Sequence, residues 1–421
     1  MKTKLLLAAA AAALAAPAAA QEPDCDRQCL IDMADGYIAA MVAHDPADAP
    51  LANDIVMVEN QERIAPGEGL WSSLTGAPGD FVIHVADPVS QQVGVMLVAP
   101  TAENKPTMFS VRLKRENGEI TEAEHLVGNE LGEAQIANLQ APRPALLREV
   151  PYEYADSRGR MIWLGKSYYD ALDDNNSNLS PMADDCERRE NGFQTARNPM
   201  VRQSAGGNGQ TDPAFAYLGG LGCAAQMDTN MWEYITEIHT RRVDIADPVT
   251  GLVWGQSHFR HDFTENEFPL LGVPGTEVRK MDFNAFDMPA VHIYKVWGGK
   301  IHEIEAVGWT APYKSPNWDD LTRQAVDPPL QGEVAAASAA DGGVSPYREG
   351  GHPSTTAYGG GPPPPPGEDR AKRRSYEKAP PDRSGGASFL WREAQAASAA
   401  AVASADGASF FVSALASISD T

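Results

Sequence analysis

Nine histidines are spread along the chain, and the tightest pair is His258 and His261, in His258-Phe259-Arg260-His261. On a strand that spacing sends the two rings to opposite faces, so the pair alone does not make a metal site. A period of two places Trp254, Gln256, His258 and Arg260 on one face of this strand. The preceding strand carries Glu233, Glu237, His239 and Arg241 on one face, with Trp232, Tyr234, Thr236, Thr240 and Arg242 on the other. Polar groups set among aromatic ones are what a ligand pocket requires. The same pattern also suits the solvated side of an antiparallel sheet.

The chemistry these residues offer is proton transfer. His258 or His239 would act as general base near neutral pH. Asp185 or Glu190 would orient the imidazole, or serve as the acid if burial raises its pKa. Arg241 would stabilise an enolate or phenolate, and Tyr169, or Tyr168, would donate to a leaving oxygen. Glu190 also has a plainer reading, because Glu59 recurs at an equivalent place and a shared structural role explains both. Trp163, Trp232, Trp254 and Trp309 would line an aromatic pocket or simply fill a core. The chain has no phosphate-binding glycine loop, dinucleotide fingerprint or G-x-S-x-G elbow, so no cofactor and no metal is expected.

Composition narrows the classes. Lys+Arg is 34 against Asp+Glu 57, a formal net charge of −23 over 421 residues. Phosphate contacts need clustered Lys and Arg, so nucleic acid is excluded as a partner, as is a polybasic membrane anchor. A hydrophobic share of 43% is enough to build a core.

Both ends stand apart from the body. Residues 1–20 carry Lys2 and Lys4, an apolar run over Leu5–Leu14, and Ala18-Ala19-Ala20 before Gln21. That is the pattern of a cleaved signal peptide, and it predicts a periplasmic or secreted protein. From 325 to 421 the chain turns to Pro362–Pro366, Ala/Ser/Gly tracts and a basic cluster at Arg370, Lys372, Arg373 and Arg374. It reads as a low-complexity, disordered tail or an out-of-frame extension.

The body repeats itself. Pro50-Leu51-Ala52-Asn53-Asp54 with Glu59-Asn60 matches Pro181-Met182-Ala183-Asp184-Asp185 with Glu190-Asn191, at an offset of 131. Ala86-Asp87-Pro88-Val89 matches Ala246-Asp247-Pro248-Val249 at 160, and Gly118–Glu124 matches Gly299–Glu305 at 181. The growing offsets imply two insertions in the second copy. Each copy begins with a helix, over Cys29–Ala43 and about Arg158–Leu172, and continues in alternating strands joined by Asp-Pro and Gly turns. The expectation is an α+β fold with two tandem domains, over 22–140 and 150–320. In each, a helix packs in a curved antiparallel sheet.

The helix-then-sheet order, the ADDC-ERRENG stretch, the Gly222-Cys223 loop and the GGKIHEIEAVG hairpin together resemble the NTF2-like (SnoaL-like) superfamily. More narrowly, they resemble a group of exported fungal and bacterial proteins of unassigned function. The resemblance implies a cone-shaped pocket between helix and sheet, which in relatives hosts cofactor-free isomerases, cyclases, dehydratases and lyases. It also implies that the two copies pack as an internal pseudo-dimer.

Export favours disulfides. Cys186 and Cys223 flank the first insertion and are expected to bridge it, leaving Cys25 and Cys29 to pair locally. The functional expectation is a ligand pocket in the second domain, belonging to a cofactor-independent lyase or isomerase. Its substrate would be a small aromatic or polyketide-like molecule. The alternative is a non-catalytic periplasmic module that binds a ligand or a protein.

Overall fold

The computed structural model describes residues 24–198, 213–281 and 283–323. The signal-peptide and tail readings therefore lie outside the described residues.

Two helices open the two halves. Helix α1 (Arg27–Ala43) starts at Asp26, whose side chain accepts from the Cys29 N–H, and stops at His44 in a left-handed conformation. Leu30, Ala34, Tyr37, Ile38 and Met41 fall on its buried stripe. Between the helices lie the short α2 (Leu70–Ser73), α3 (Glu133–Asn138) and α4 (Pro144–Leu147). Helix α5 (Arg158–Asp173) is capped by Ser157 and buries Met161, Leu164, Tyr168, Tyr169 and Leu172. Among the described residues, three further short helices follow: α6 (Pro213–Gly220), α7 (Cys223–Met227) and α8 (Trp318–Arg323).

The first sheet contains β1 (Leu51–Glu59), β2 (Glu62–Ile64), β3 (Val82–Asp87), β4 (Gln92–Pro100), β5 (Pro106–Glu116) and β6 (Glu119–Val127), ordered β2-β1-β6-β5-β4-β3. The second contains β7 (Met182–Glu190), β8 (Phe193–Ala196), β9 (Glu237–Asp247), β10 (Leu252–His261), β13 (Phe286–Trp297) and β14 (Lys300–Gly308). Its order is β8-β7-β14-β13-β10-β9, with β15 (Ala311–Pro312) added on β13. The strand orders correspond one for one. In each half a single parallel pair, β1 with β6 and β7 with β14, joins an otherwise antiparallel sheet. The small hairpin of β11 (Glu267–Pro269) and β12 (Val278–Lys280) has no counterpart in the first half, and α6 and α7 stand between β8 and β9 where the first half has the shorter α2 between β2 and β3. They fall in the two stretches where the repeat offsets grow.

Three apolar cores follow from the alternation of the strands. Val93, Val95 and Leu97 of β4 pack under α1. Val253 and Phe259 of β10 pack under α5. The opposite faces of the sheets, with Ile83, Met96, Trp254 and Val291, form a third core between the halves. Gly94 makes that contact possible, because a Cβ there would run into the Trp254 indole. The fold is therefore α+β, with each sheet covered by a helix on one side and by the other sheet on its back.

Both expected disulfides are formed, Cys25–Cys29 and Cys186–Cys223. The second ties α7 to the middle of β7. Among the described residues no helix is long and apolar enough to cross a membrane.

Candidate functional site

The six residues singled out from sequence do not form one site. His258 and His239 pair directly across β10 and β9, with ring centroids 4.7 Å apart. A carboxylate does stand within reach, and it is Asp287 of β13, whose Oδ2 is 3.0 Å from His258 Nε2. Arg260 Nε donates to the other Asp287 oxygen at 3.3 Å. This face of β10 does not line the space under α5, however. It turns toward the first half, where Gln61 Nε2 meets His258 Nδ1 at 3.2 Å. With one ring nitrogen on Asp287 and the other on Gln61, fully buried His258 has no lone pair left for a substrate. Burial pushes its pKa down despite the Asp287 charge, and burial likewise lowers that of His239.

Arg241 lies elsewhere. Strict alternation would put it beside His239, but β9 bulges between them, with Thr240 at φ 53°. The extra residue swings Arg241 over to α5, where it bonds Asp170 at 2.7 Å and Asp173 at 2.8 Å. Asp185 is on the outside of β7 and holds His302 Nδ1 at 2.8 Å.

Glu190, at the end of β7, and Tyr169, on α5, are both buried among other buried polar groups. Tyr169 Oη meets His292 Nδ1 at 3.2 Å, and Glu190 Oε1 lies 3.0 Å from Arg188 Nε. Burial raises the Glu190 pKa against the pull of Arg188. Helix α7 fills this interior. Gln226 of α7 accepts from Arg188 Nη2 at 2.6 Å and donates to the carbonyls of Thr195 and Leu218. The second half thus gathers polar groups under its helix, but α7 occupies the space beside them.

The first half carries a constellation that the sequence reading missed. Glu59 ends β1 and faces His125 of β6 in the parallel ladder. His125 Nδ1 lies 3.1 Å from Glu59 Oε2, and His125 Nε2 lies 2.9 Å from Tyr37 Oη. Tyr37 Oη in turn accepts from Trp71 Nε1 at 3.3 Å. The directions of these bonds follow from donor inventory. An indole N–H only donates and a carboxylate only accepts, so with a neutral imidazole the Nδ1 proton goes to Glu59 and the Tyr37 proton goes to His125 Nε2. Burial raises the Tyr37 pKa, so the phenol keeps its proton; Trp71 pulls it down and Glu59 adds to the rise.

Glu59 Oε2 also accepts from the Leu70 N–H at 2.9 Å, while Oε1 takes no hydrogen bond among the described residues. Close approach of the α2 start requires Gly69. Its φ is 63°, and a Cβ there would overlap both carboxylate oxygens. Glu59 and Leu70 line an open cleft of about 390 Å³, with the turn between β4 and β5 and the residues that follow β6 as its other walls.

A sequence signal for this site existed. The offset of 131 that relates Glu59 to Glu190 also relates Tyr37 to Tyr168, while His125 corresponds to Ala306 at the third offset. Aligning the copies shows a histidine present in one and absent from the other. Among the described residues no group of three or more His, Cys, Asp or Glu is placed to hold a metal.

Fold and site together define an α+β protein of two corresponding helix-on-sheet halves, with a carboxylate–imidazole–phenol chain under the first helix. Residues 154–308, nearly all of the second half, match a domain of unknown function, DUF8021. Among solved structures the chain is similar to a protein of unknown function with a cystatin-like fold from Methylobium petroleophilum PM1. That likeness has 12% identity and a TM-score of 0.23, over 26% of this chain and 83% of that one. A comparison with curated proteins returns no match.

Proposed function

We propose that the protein binds a small organic molecule in the cleft of its first half and transfers a proton there without a cofactor, as a lyase or isomerase does. Glu59 is the general base. The observation that carries this reading is that Glu59 both lines the cleft and ends the Trp71–Tyr37–His125 chain. Two donors fix one carboxylate oxygen, and the other is left for the ligand. Such a chain orients the base and holds its charge, which is what general base catalysis asks of a carboxylate.

Two further readings travel with this one. The matching strand orders and the recurring Tyr and Glu support a tandem duplication of an NTF2-like unit, with the insertion-filled second copy serving as scaffold. The N-terminal Lys2, Lys4 and apolar run, with two disulfides in the body, support export.

The test is solvent deuterium exchange beside the carbonyl of 4-hydroxyacetophenone, followed by NMR. Wild-type protein is expected to accelerate exchange, and Glu59→Gln to lose about 10²- to 10⁴-fold of the acceleration. Equal exchange with both proteins would sink the assignment of Glu59. Binding without exchange would favour the second reading, a non-catalytic ligand-binding module. One observation supports that reading: Glu59 also serves as the side-chain cap of α2.

A further inference from the structure

We infer that the cleft of the first half selects for ligands carrying a positive or neutral hydrogen-bond donor and discriminates against carboxylates, an inference that rests on the placement of the site at Glu59. Among the described residues, three ionisable side chains line the cleft: Glu59, Lys105 and Glu130. Lys105 and Glu130 pair with each other at 3.3 Å, and both are exposed at the rim. Their charges oppose each other and are screened by solvent. What remains is the charge of Glu59, and among the described residues no lysine or arginine pairs with it. Its partners are the Leu70 N–H and the Nδ1–H of an imidazole whose other nitrogen accepts from Tyr37.

The local balance is therefore one negative charge at the inner end of the cleft, only 16% exposed, where water screens it less than at the rim. The rest of the molecule adds to this field, since the chain has a net charge of −23. The guanidinium groups that would be needed to receive a carboxylate are committed elsewhere. Arg112 bonds Gln92, Glu122 and Glu124, and Arg242 bonds Glu124 and Gln256. Neither lines the cleft. A ligand end bearing an ammonium or hydroxyl donates to Glu59 Oε1, whereas one bearing a carboxylate meets it head on.

Three molecules of one shape test this: tyramine, tyrosol and 4-hydroxyphenylacetate, which share a phenol and a two-carbon arm and end in an ammonium, a hydroxyl and a carboxylate. Dissociation constants are measured by NMR titration at neutral pH and low ionic strength. The expected order of affinity is tyramine, then tyrosol, then 4-hydroxyphenylacetate, with at least about tenfold between the first and last. Added salt should narrow the gap. Glu59→Gln keeps the shape and removes the charge, so it should collapse the order. Equal or tighter binding of 4-hydroxyphenylacetate to the wild type would overturn the inference, as would an order that survives in Glu59→Gln. The catalytic reading is judged separately, by deuterium exchange, so either can fail without the other.

Discussion

His125 stands directly across the parallel ladder from Glu59, where Ala306 faces Glu190 in the other half. Two differences between corresponding strands, His125 against Ala306 and Met57 against Arg188, separate a carboxylate backed by imidazole and phenol from a carboxylate backed by a buried arginine. They explain why two halves with one strand order have different chemistry under their helices.

Tyr37→Phe removes the middle of the chain and leaves the Trp71 N–H and His125 Nε2 buried without partners. It should lower stability by about 1–3 kcal/mol. Urea denaturation checks this. Deuterium exchange should fall less than in Glu59→Gln, because the phenol acts through His125 and does not touch the ligand.

Gly69→Ala should damage the site without touching a titratable group. The new methyl would meet the Glu59 carboxylate at a backbone position with φ 63°. Strain of this kind costs roughly 1–3 kcal/mol. The expected outcome is a lower melting temperature together with an exchange rate close to that of Glu59→Gln; wild-type exchange would show that the carboxylate does not need the close approach.

Stability should depend on pH through buried groups of the second half. Burial pushes His261 and His292 down to about 3, while unfolded histidines titrate near ~6.5. Between those values the unfolded chain binds more protons. Their contribution is therefore complete above ~6.5 and is lost as pH falls toward 3. Glu305 runs the other way, since burial, against Arg143 and Arg189, raises its carboxyl to about 7. Its contribution is present below the ordinary range of ~4.3 and is lost as pH rises through about 7. Melting temperature against pH should show a flatter acid limb in His292→Phe and a flatter neutral limb in Glu305→Gln.

The two disulfides should differ in worth because they close loops of different length. Cys186–Cys223 spans 37 residues and Cys25–Cys29 spans 4. Chain entropy assigns about 4 kcal/mol to the first and about 2 kcal/mol to the second. Paired Cys→Ser variants, compared by thermal unfolding, should rank in that order. The longer bridge should matter more to the second half, because it ties down α7 and with it Gln226.

Local patterning made much of the fold legible. The apolar stripe of Leu30, Tyr37, Ile38 and Met41 marked α1, the Asp-Pro and Gly-Gly turns marked hairpins, and the repeat with its two growing offsets anticipated matching strand orders with added elements in the second half. Cysteine positions relative to the insertion pointed to both bridges. These features are determined by residues near one another in the chain, through helical period, turn chemistry and loop closure. What only the tertiary structure decided was which face of each sheet turns inward. The alternation of β10 put Trp254, Gln256 and His258 together, and tertiary packing set that face against the first half instead of under α5. The bulge at Thr240 then parted Arg241 from His239, a slip of one residue that no period of two can register. His125, Tyr37 and Glu59 sit 88 and 66 residues apart along the chain. Only the pairing of β1 with β6 beneath α1 brings them into one line of hydrogen bonds.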